Sequence, residues 1–390
     1  MGLTYKQYGK DGPQVSRLGF GVMRLPARKK GDWNSVNYTR SVEVLRAAME
    51  AGVNLFDTHH GYHGGKSEIA IGKALAGWKG QHIYVQTKTP WYKEEPTEYF
   101  EKLLYEALEK LGVNCVDYLF HHSLDMKTWK KRGRKFIKFT DWALRKGLIR
   151  YRGCSVHDRP ENIKALVDTG EFSAMLMSYN WMNPAVKDAI AHAADRGVGV
   201  SVMNPVGGGT LATETPQIMR LLPGAKTAPE IALRYVLATP GVVAAVSGMN
   251  TLDQIRENVA IVSRPTPMTE KQWPRMQARL DAITHKSRKF CTACGYCMPC
   301  KHGVHIPRNF GLLNQVRFFG RLDWARQEFA RLARHKEGNK SAEACVQCGE
   351  CMPKCPHKVP IIDQLHQVVA TLKTAPAPVG KATRRPRAKK

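Results

Sequence analysis

Long apolar runs are missing from this sequence. No stretch approaches the roughly 18 consecutive apolar residues that a membrane-spanning helix needs, which excludes a helical transmembrane segment in the residues given. Met1–Lys10 has no apolar leader core and no twin arginine, and is read as the start of a cytoplasmic protein. Acidic residues are scarce: 33 Asp and Glu stand against 60 Lys and Arg, a formal net charge of +27. Cysteine is rare before residue 290, where only Cys115 and Cys154 occur, each alone in an apolar stretch. The other eight of the ten cysteines fall in two tight groups. A secreted chain of this size scatters its cysteines to close loops, so the grouping argues against a disulfide framework and for metal. No flavin-binding feature is evident either.

What is present is a chain of 390 residues, 43% of them hydrophobic, enough for a barrel of roughly 250 residues plus an accessory unit. The positive charge is concentrated: residues 286–390 hold 21 Lys and Arg against 6 Asp and Glu, +15 of the total. A basic surface attracts an anionic partner: an acidic redox protein, nucleic acid or anionic lipid. An acidic electron-transfer protein is the preferred one and nucleic acid is not expected; a surface that serves only solubility is the plainer alternative.

From residue 14 to about 262, short β-rich runs alternate with longer runs of helical spacing. The strand candidates are Val15–Met23, Val53–Asp57, Ile83–Thr87, Val116–His122, Arg150–Ser155, Ala174–Tyr179, Gly199–Val202 and Val242–Ser247. Helix candidates follow each, among them Ser41–Ala51, Pro96–Leu111, Phe136–Lys146 and Leu252–Val262. Strict alternation implies parallel strands with helices outside, and eight units favour a closed (β/α)₈ TIM barrel over an open α/β sheet. Thr4–Tyr8 and Gln14–Arg17 flank an Asp-Gly loop and read as a hairpin placed to plug the bottom of the barrel. The expected domains are the barrel over 1–265, a linker helix over 266–286, an α-helical iron–sulfur domain over 287–370 and a disordered basic tail over 371–390.

Chemistry in such a barrel sits where strands end. The second strand ends in Asp57 with Tyr62 in the loop beyond, the third in Lys88 and the fourth in His122. These types suit carbonyl reduction, in which hydride adds to carbon and the oxygen needs a proton. A free tyrosine, with a pKa of about 10, is a poor acid at neutral pH, and a nearby Lys⁺ lowers that value. A buried Lys in turn needs an anion, which Asp57 can supply. His122 can orient the carbonyl oxygen. Strand parity puts Tyr118, Phe120 and His122 on one face and His121 on the other.

At this point the sequence resembles the aldo/keto reductase family over roughly residues 1–265. The matching stretches are Val15–Gly21, Phe56-Asp57-Thr58 with Tyr62 and Ser67-Glu68, Gln86-Thr87-Lys88, Asp117-Tyr118 leading to His122-Ser123-Leu124, Gly153-Cys154-Ser155, Tyr179-Asn180, and Ser247-Gly248 with Glu257-Asn258. The resemblance implies a catalytic tetrad of Asp57, Tyr62, Lys88 and His122 and a nicotinamide cofactor, NADPH or NADH. It implies that the nicotinamide lies near Ser155, Ser178 and Tyr179. The phosphates would lie near Asn204, Pro205, Gly207 and Gly208 and near Ser247, Gly248, Met249 and Asn250, with Gln254, Glu257 and Asn258 alongside. Two departures stand out. The loop after Asp57 carries His59, His60 and His63, open to reading as a metal site or, in preference, a polar substrate pocket. Gly248-Met249 and Gln254 stand where many members place cations for the 2′-phosphate of NADPH, with Arg256 nearby on another helical face. A lean to NADH or weak selectivity is expected.

The last four cysteines, Cys345, Cys348, Cys351 and Cys355 before a proline, have the spacing C-x₂-C-x₂-C-x₃-C-P. Cys291, Cys294, Cys297 and Cys300 follow C-x₂-C-x₂-C-x₂-C. Three thiolates on one tight loop hold three corners of a cubane, and the fourth ligates the other cluster in two-cluster ferredoxins. Two [4Fe–4S] clusters with exchanged fourth ligands are expected, rather than zinc, which usually uses two separated pairs. The domain resembles bacterial-type ferredoxins, and barrel followed by ferredoxin resembles a cluster-bearing subfamily of aldo/keto reductases. The expected activity is nicotinamide-dependent reduction of a carbonyl or quinone-like substrate, with clusters exchanging electrons with a partner. The alternative is a non-enzymatic or regulatory redox module whose basic end binds an anionic partner.

Overall fold

A computed structural model describes residues 2–29, 32, 34–91, 93–286, 291, 297–334, 340–355 and 359–373. The chain forms two compact units, one of residues 1–213 with 224–275 and the other of residues 214–223 with 276–390.

The first unit opens with the antiparallel pair β1 (Tyr5–Gln7) and β2 (Gln14–Ser16), with Tyr5 opposite Ser16. Eight parallel strands follow: β3 (Leu18–Gly21), β4 (Leu55–Asp57), β5 (Tyr84–Thr89), β6 (Val116–Leu124), β7 (Ile149–Val156), β8 (Ala174–Ser178), β9 (Gly199–Met203) and β10 (Val242–Ser247). They close in sequence order, β10 pairing both β9 and β3. This is the expected (β/α)₈ barrel. Its helices are α1 (Tyr38–Glu50), α2 (Lys66–Leu75), α3 (Thr97–Leu111), α4 (Met126–Arg145), α5 (Pro160–Val167), α6 (Lys187–Asp195), α8 (Ala228–Ala238) and α9 (Leu252–Val262). The short α7 (Pro216–Met219) belongs to the second unit, and α10 (Gln272–Lys286) runs across the boundary.

Strands buried on both faces read as unbroken apolar runs, as in β10, where every residue is buried. Several helices start on a side-chain cap that satisfies an otherwise orphan N–H. Asn37, Asp125, Thr227 and Thr251 each accept from a backbone N–H three residues on. The Asp125 cap explains a difference from expectation. Helix α4 begins at Met126, ten residues before the anticipated Phe136, because a run of Lys and Arg forms its exposed side while Arg132, Phe136, Phe139 and Ala143 bury the other. Gly133 is tolerated inside it because the Trp129 ring lies where a Cβ would stand, 2.7 Å away.

The hairpin does plug the barrel floor. Tyr8 is fully buried, and its hydroxyl meets Ser201 Oγ at 2.7 Å and donates to Gln86 Oε1 at 3.1 Å. Gly199 permits this approach, since a Cβ there would lie 2.6 Å from the Tyr8 ring. Tyr8 and Val15 share one apolar cluster with Leu55, Tyr118, Phe120 and Leu176.

In the second unit α11 (Ile306–Phe319), α12 (Leu322–Ala333) and α13 (Ile361–Leu372) enclose a core of Phe310, Leu313, Phe329, Leu332, Leu365 and Val368. A single parallel bridge joins Val304 to Lys340. Buried Asn309 reinforces it, donating to the carbonyls of His305 and Lys340 and accepting from Ala342 N at 2.8 Å. Most of the tail expected over 371–390 lies outside the described residues. No helix among the described residues is long and apolar enough to cross a membrane.

Candidate functional site

Three strand ends bring the expected polar residues together in the first unit. Asp57 ends β4 and Lys88 lies near the end of β5, both buried, and Lys88 Nζ donates to Asp57 Oδ1 at 2.5 Å and to the Thr58 carbonyl at 2.6 Å. Burial pulls the Lys88 amine down, but the Asp57 carboxylate and Tyr62 outweigh it and hold the ammonium above its ordinary range. The same Oδ1 accepts from Gln86 Nε2 at 2.7 Å. A polar chain therefore runs from Tyr8 on the barrel floor through Gln86 to Asp57 and Lys88. Nothing in the strand pattern marks Gln86 for that role beyond its inward parity with Lys88.

Tyr62 stands over this pair, its ring centroid 5.2 Å from Lys88 Nζ. Lys88 draws the phenol down, as anticipated, yet burial is the larger effect and the net shift is upward. The expectation of a net lowered pKa is corrected for this state: Tyr62 is a protonated phenol across neutral pH. His122 faces the same cavity, its ring 6.4 Å from that of Tyr62. Burial first, then Lys88 and neighbouring imidazoles, push it down to about 3, so it is neutral. His121 points outward against Phe136 of α4, as strand parity requires.

The histidine loop does not gather into a metal site. His63 Nε2 accepts from Leu25 N at 3.3 Å, and His59 Nδ1 accepts from Gly61 N at 3.1 Å. Among the described residues no three His, Cys, Asp or Glu side chains are placed to hold one metal ion. His59 instead lies tilted against His122 with centroids 4.0 Å apart, and burial keeps it neutral too.

A cavity of about 480 Å³ opens on Asp57, Tyr62, Lys88 and His122 and continues along the ends of β7, β9 and β10. Of the residues expected to meet a cofactor, Ser155, Asn204, Pro205 and Gly208 line it on one side. Ser247, Gly248, Asn250, Gln254, Glu257 and Asn258 line it on the other. Four do not. Tyr179 follows β8 with its ring turned away, fully buried, its hydroxyl donating to Tyr235 Oη at 3.1 Å and meeting Thr239 Oγ1 at 3.0 Å. Ser178 Oγ accepts from Asn204 Nδ2 at 3.3 Å, Gly207 faces Leu211, and Met249 is fully buried. Sequence reasoning missed Arg24, His157 and Leu176, which also line the cavity. Arg256 is outside it, paired with Asp253 at 2.6 Å.

In the second unit Cys300, Cys345, Cys348 and Cys351 surround one small cavity, which Cys297 also borders. Burial raises the Cys351 thiol, and Cys345, Cys300 and Cys348 raise it further, so these sulfurs repel as thiolates and suit a shared cationic centre. Cys355 is absent from that lining and accepts from Val359 N at 3.4 Å. Cys291 packs against the helical core, and Cys294 lies outside the described residues. No described cysteine is in a disulfide.

Comparison with known proteins agrees with this division. The model of the aldo/keto reductase family matches residues 17–227, and that of the 4Fe-4S dicluster domain matches residues 290–360. The chain is 26% identical over 288 residues to an L-galactose dehydrogenase of Arabidopsis thaliana, covering 67% of this chain and 88% of that protein. It is 23% identical over 300 residues to an NADH-specific methylglyoxal reductase of Escherichia coli, covering 64% and 90%. The solved structure of an aldo-keto reductase of Bacillus halodurans, in its holo form, superimposes with a TM-score of 0.61 at 25% identity, covering 71% of this chain and 96% of that one. The closed barrel, the polar ends of its strands and the matched region together make this chain an oxidoreductase of the aldo/keto reductase family, with a 4Fe–4S dicluster domain following the barrel.

Proposed function

We propose that the barrel reduces the carbonyl of a small molecule, or a quinone-like equivalent, with Tyr62 as proton donor. The observation that carries this is the buried Asp57–Lys88 pair beneath Tyr62, with His122 on the same cavity. A bound NADH or NADPH would supply the hydride. Tyr62 Oη gives its proton to the carbonyl oxygen as that oxygen gains charge, and Lys88 stabilises the phenolate left behind. Asp57 keeps Lys88 charged where burial alone would neutralise it. Neutral His122 hydrogen-bonds the carbonyl oxygen without competing for the proton. Ser155, Ser247, Asn250 and Asn258 offer polar groups along the cavity to a dinucleotide. Gly248 and Gln254, in place of phosphate-binding cations, favour NADH or weak selectivity, and the relative named as NADH-specific is consistent with that. Replacement of Tyr62 by Phe tests the reading: carbonyl turnover should collapse while nucleotide binding stays, and near-normal turnover would remove Tyr62 from the chemistry.

The same proposal covers the second unit. Cys345, Cys348, Cys351 and Cys300 would hold one [4Fe–4S] cluster, and Cys291, Cys294, Cys297 and Cys355 the other. The first four border one cavity, as Cys297 also does, while Cys355, next in the motif, does not, which supports its place on the other cluster. The clusters would supply one-electron chemistry, exchanged with an acidic partner. In this reading residues 1–265 are the reductase, 266–286 a connector, 287–370 the cluster domain and 371–390 a tail.

A further inference from the structure

We infer that the outer face of α4 is the docking surface for an acidic partner protein, one that presents a ridge of carboxylates about one helix wide. The inference rests on the acidic-partner reading above and moves that partner's site from the basic end of the chain to the barrel. Positive charge before residue 286 is concentrated on this helix. Met126–Arg145 holds eight Lys and Arg against one Asp, whereas residues 1–285 together hold 39 against 27. One helix therefore carries +7 of a net +12. Lys127, Lys130, Lys131, Arg134, Lys135 and Lys138 recur at steps of three and four residues and are all exposed, so they share one face. That face runs about 16 Å along the helix axis. The opposite side of α4 is fixed to the barrel. Phe136, Phe139 and Ala143 are buried there, and the Arg132 guanidinium donates to the carbonyls of Lys93 and Glu95. The row of cations is thus held in place before any partner arrives.

Most of these charges are uncompensated. Among the described residues Lys131 pairs with Glu94, while no carboxylate pairs with Lys127, Lys130, Arg134, Lys135 or Lys138. Asp141, the helix's own acid, is taken by Arg152 at 2.6 Å. In the second unit, by contrast, Lys301 pairs with Glu350, Arg308 and Arg331 with Glu328, and Lys373 with Glu343. Like charges held in one row repel, and carboxylates brought by a partner relieve that repulsion. The surroundings select the class of partner. Glu95, Glu98 and Glu109 are exposed on α3 or just before it. Helix α3 meets α4 through Tyr105 and Trp142, whose ring centroids are 6.2 Å apart. An anionic bilayer is a plane of one sign and would press on those carboxylates as well as on the lysines. A ridge of carboxylates on a protein meets the row of cations alone. Tyr105, 51% exposed, adds an aromatic anchor beside that row, a residue type enriched among the energetic centres of protein interfaces.

The experiment uses a flavodoxin as the acidic probe, titrated at low and high salt into the full cluster-loaded chain and into two variants, with thermal melts as a folding control. One variant combines Lys130→Gln, Arg134→Gln and Lys138→Gln. The other removes the same charge from exposed cations on other elements, by Arg40→Gln, Lys79→Gln and Lys271→Gln. At low salt the α4 variant should bind about tenfold more weakly than wild type, as expected for three lost exposed charge pairs. The second variant should bind as wild type does, and high salt should erase the difference. Carbodiimide cross-linking, which joins lysine amines directly to carboxylates, should attach the flavodoxin to Lys127, Lys130, Lys135 and Lys138 of the wild-type chain. Equal losses in the two variants overturn the docking surface, because the attraction is then diffuse. Cross-links confined to residues 286–390 also overturn it and leave the acidic partner at the basic end of the chain. Vesicles of phosphatidylcholine and phosphatidylglycerol form a second arm: binding to them that is lost in the α4 variant, with flavodoxin binding unchanged, makes the face a membrane surface and overturns the inference. Failure of the wild-type chain to bind flavodoxin at low salt overturns the acidic-partner reading itself, a result distinct from the others.

Discussion

The two units solve the problem of building a site in opposite ways. In the barrel, eight strands bury apolar side chains on both faces, and the polar groups at their ends are held by protein alone: Lys88 by Asp57, Asp57 by Gln86, Gln86 by Tyr8. In the second unit the candidate ligands are themselves part of the packing, since Cys291, Cys300, Cys345, Cys351 and Cys355 lie against the helical core. Hydrophobic closure yields a preformed cavity that awaits a ligand. Thiols gathered around a cavity yield a fold whose stability includes the ligand, because repelling thiolates need a cation between them.

Iron removal gives the sharpest test of this contrast. The anaerobically reconstituted chain should hold about eight irons. Chelation should leave the barrel's cooperative melt in place and expose the second unit to proteolysis; a barrel that unfolds together with the iron would break the contrast. Within that experiment Cys355→Ala should perturb the cluster on residues 291–297, whereas an effect confined to the cluster on Cys345–Cys351 would show that each group closes its own. Next in size, Tyr62→Phe should lower kcat for carbonyl reduction by at least about a hundredfold, the low end for general acid catalysis. Iron content and nucleotide affinity should stay at wild-type values, as steady-state kinetics with iron assay and titration would show. Asn309→Ala should act the other way round. Deleting a buried side chain that bonds His305, Lys340 and Ala342 should cost about 1–3 kcal/mol. The variant should lose iron faster in a chelator time course and bind NADH unchanged.

A last test is one of pH on the barrel. His60, His121 and His122 are held down to about 4, 4 and 3, each with burial as the main cause. The unfolded chain binds those protons near the ordinary value of 6.5 and the folded chain does not. Stability is therefore complete above that value and falls as pH drops from it toward 4. Melting temperatures of the barrel measured between pH 7.5 and 4.5 should decline steadily on the acid side; a flat profile would mean that these imidazoles titrate normally.

Much of the barrel was legible because its signals are local. Val242–Val246 is an unbroken apolar run, and the strand adopts the expected bounds Val242–Ser247. Asp57, Lys88 and His122 could be found because strand parity and strand ends dictate where they point. What escaped had no periodic signature. The first ten residues of α4 lie before the helix expected from Phe136, since Lys and Arg crowd them and Gly133 interrupts the apolar spacing. Arg24 stands in a turn, where only three-dimensional closure brings it against Gly208 and Gly248. Tyr179 was placed on the nicotinamide by resemblance, but one step past β8 its ring faces α8 and bonds Tyr235. Asn309 looks like any helix asparagine until the segments before and after it meet.

Residues 214–223 leave the barrel's sequence range and count with the second unit, where Arg279 Nη1 donates to the Leu221 carbonyl at 3.2 Å. Ile218, Leu221 and Leu222 are all but fully buried. The cluster-bearing part is thus not a cassette appended to a finished enzyme. A cut after Arg275 would leave a greasy stub on the reductase, and a graft of 276–390 alone would arrive with a hole in its side. Transfer of the module to another reductase, by recombination or by hand, requires two splices instead of one.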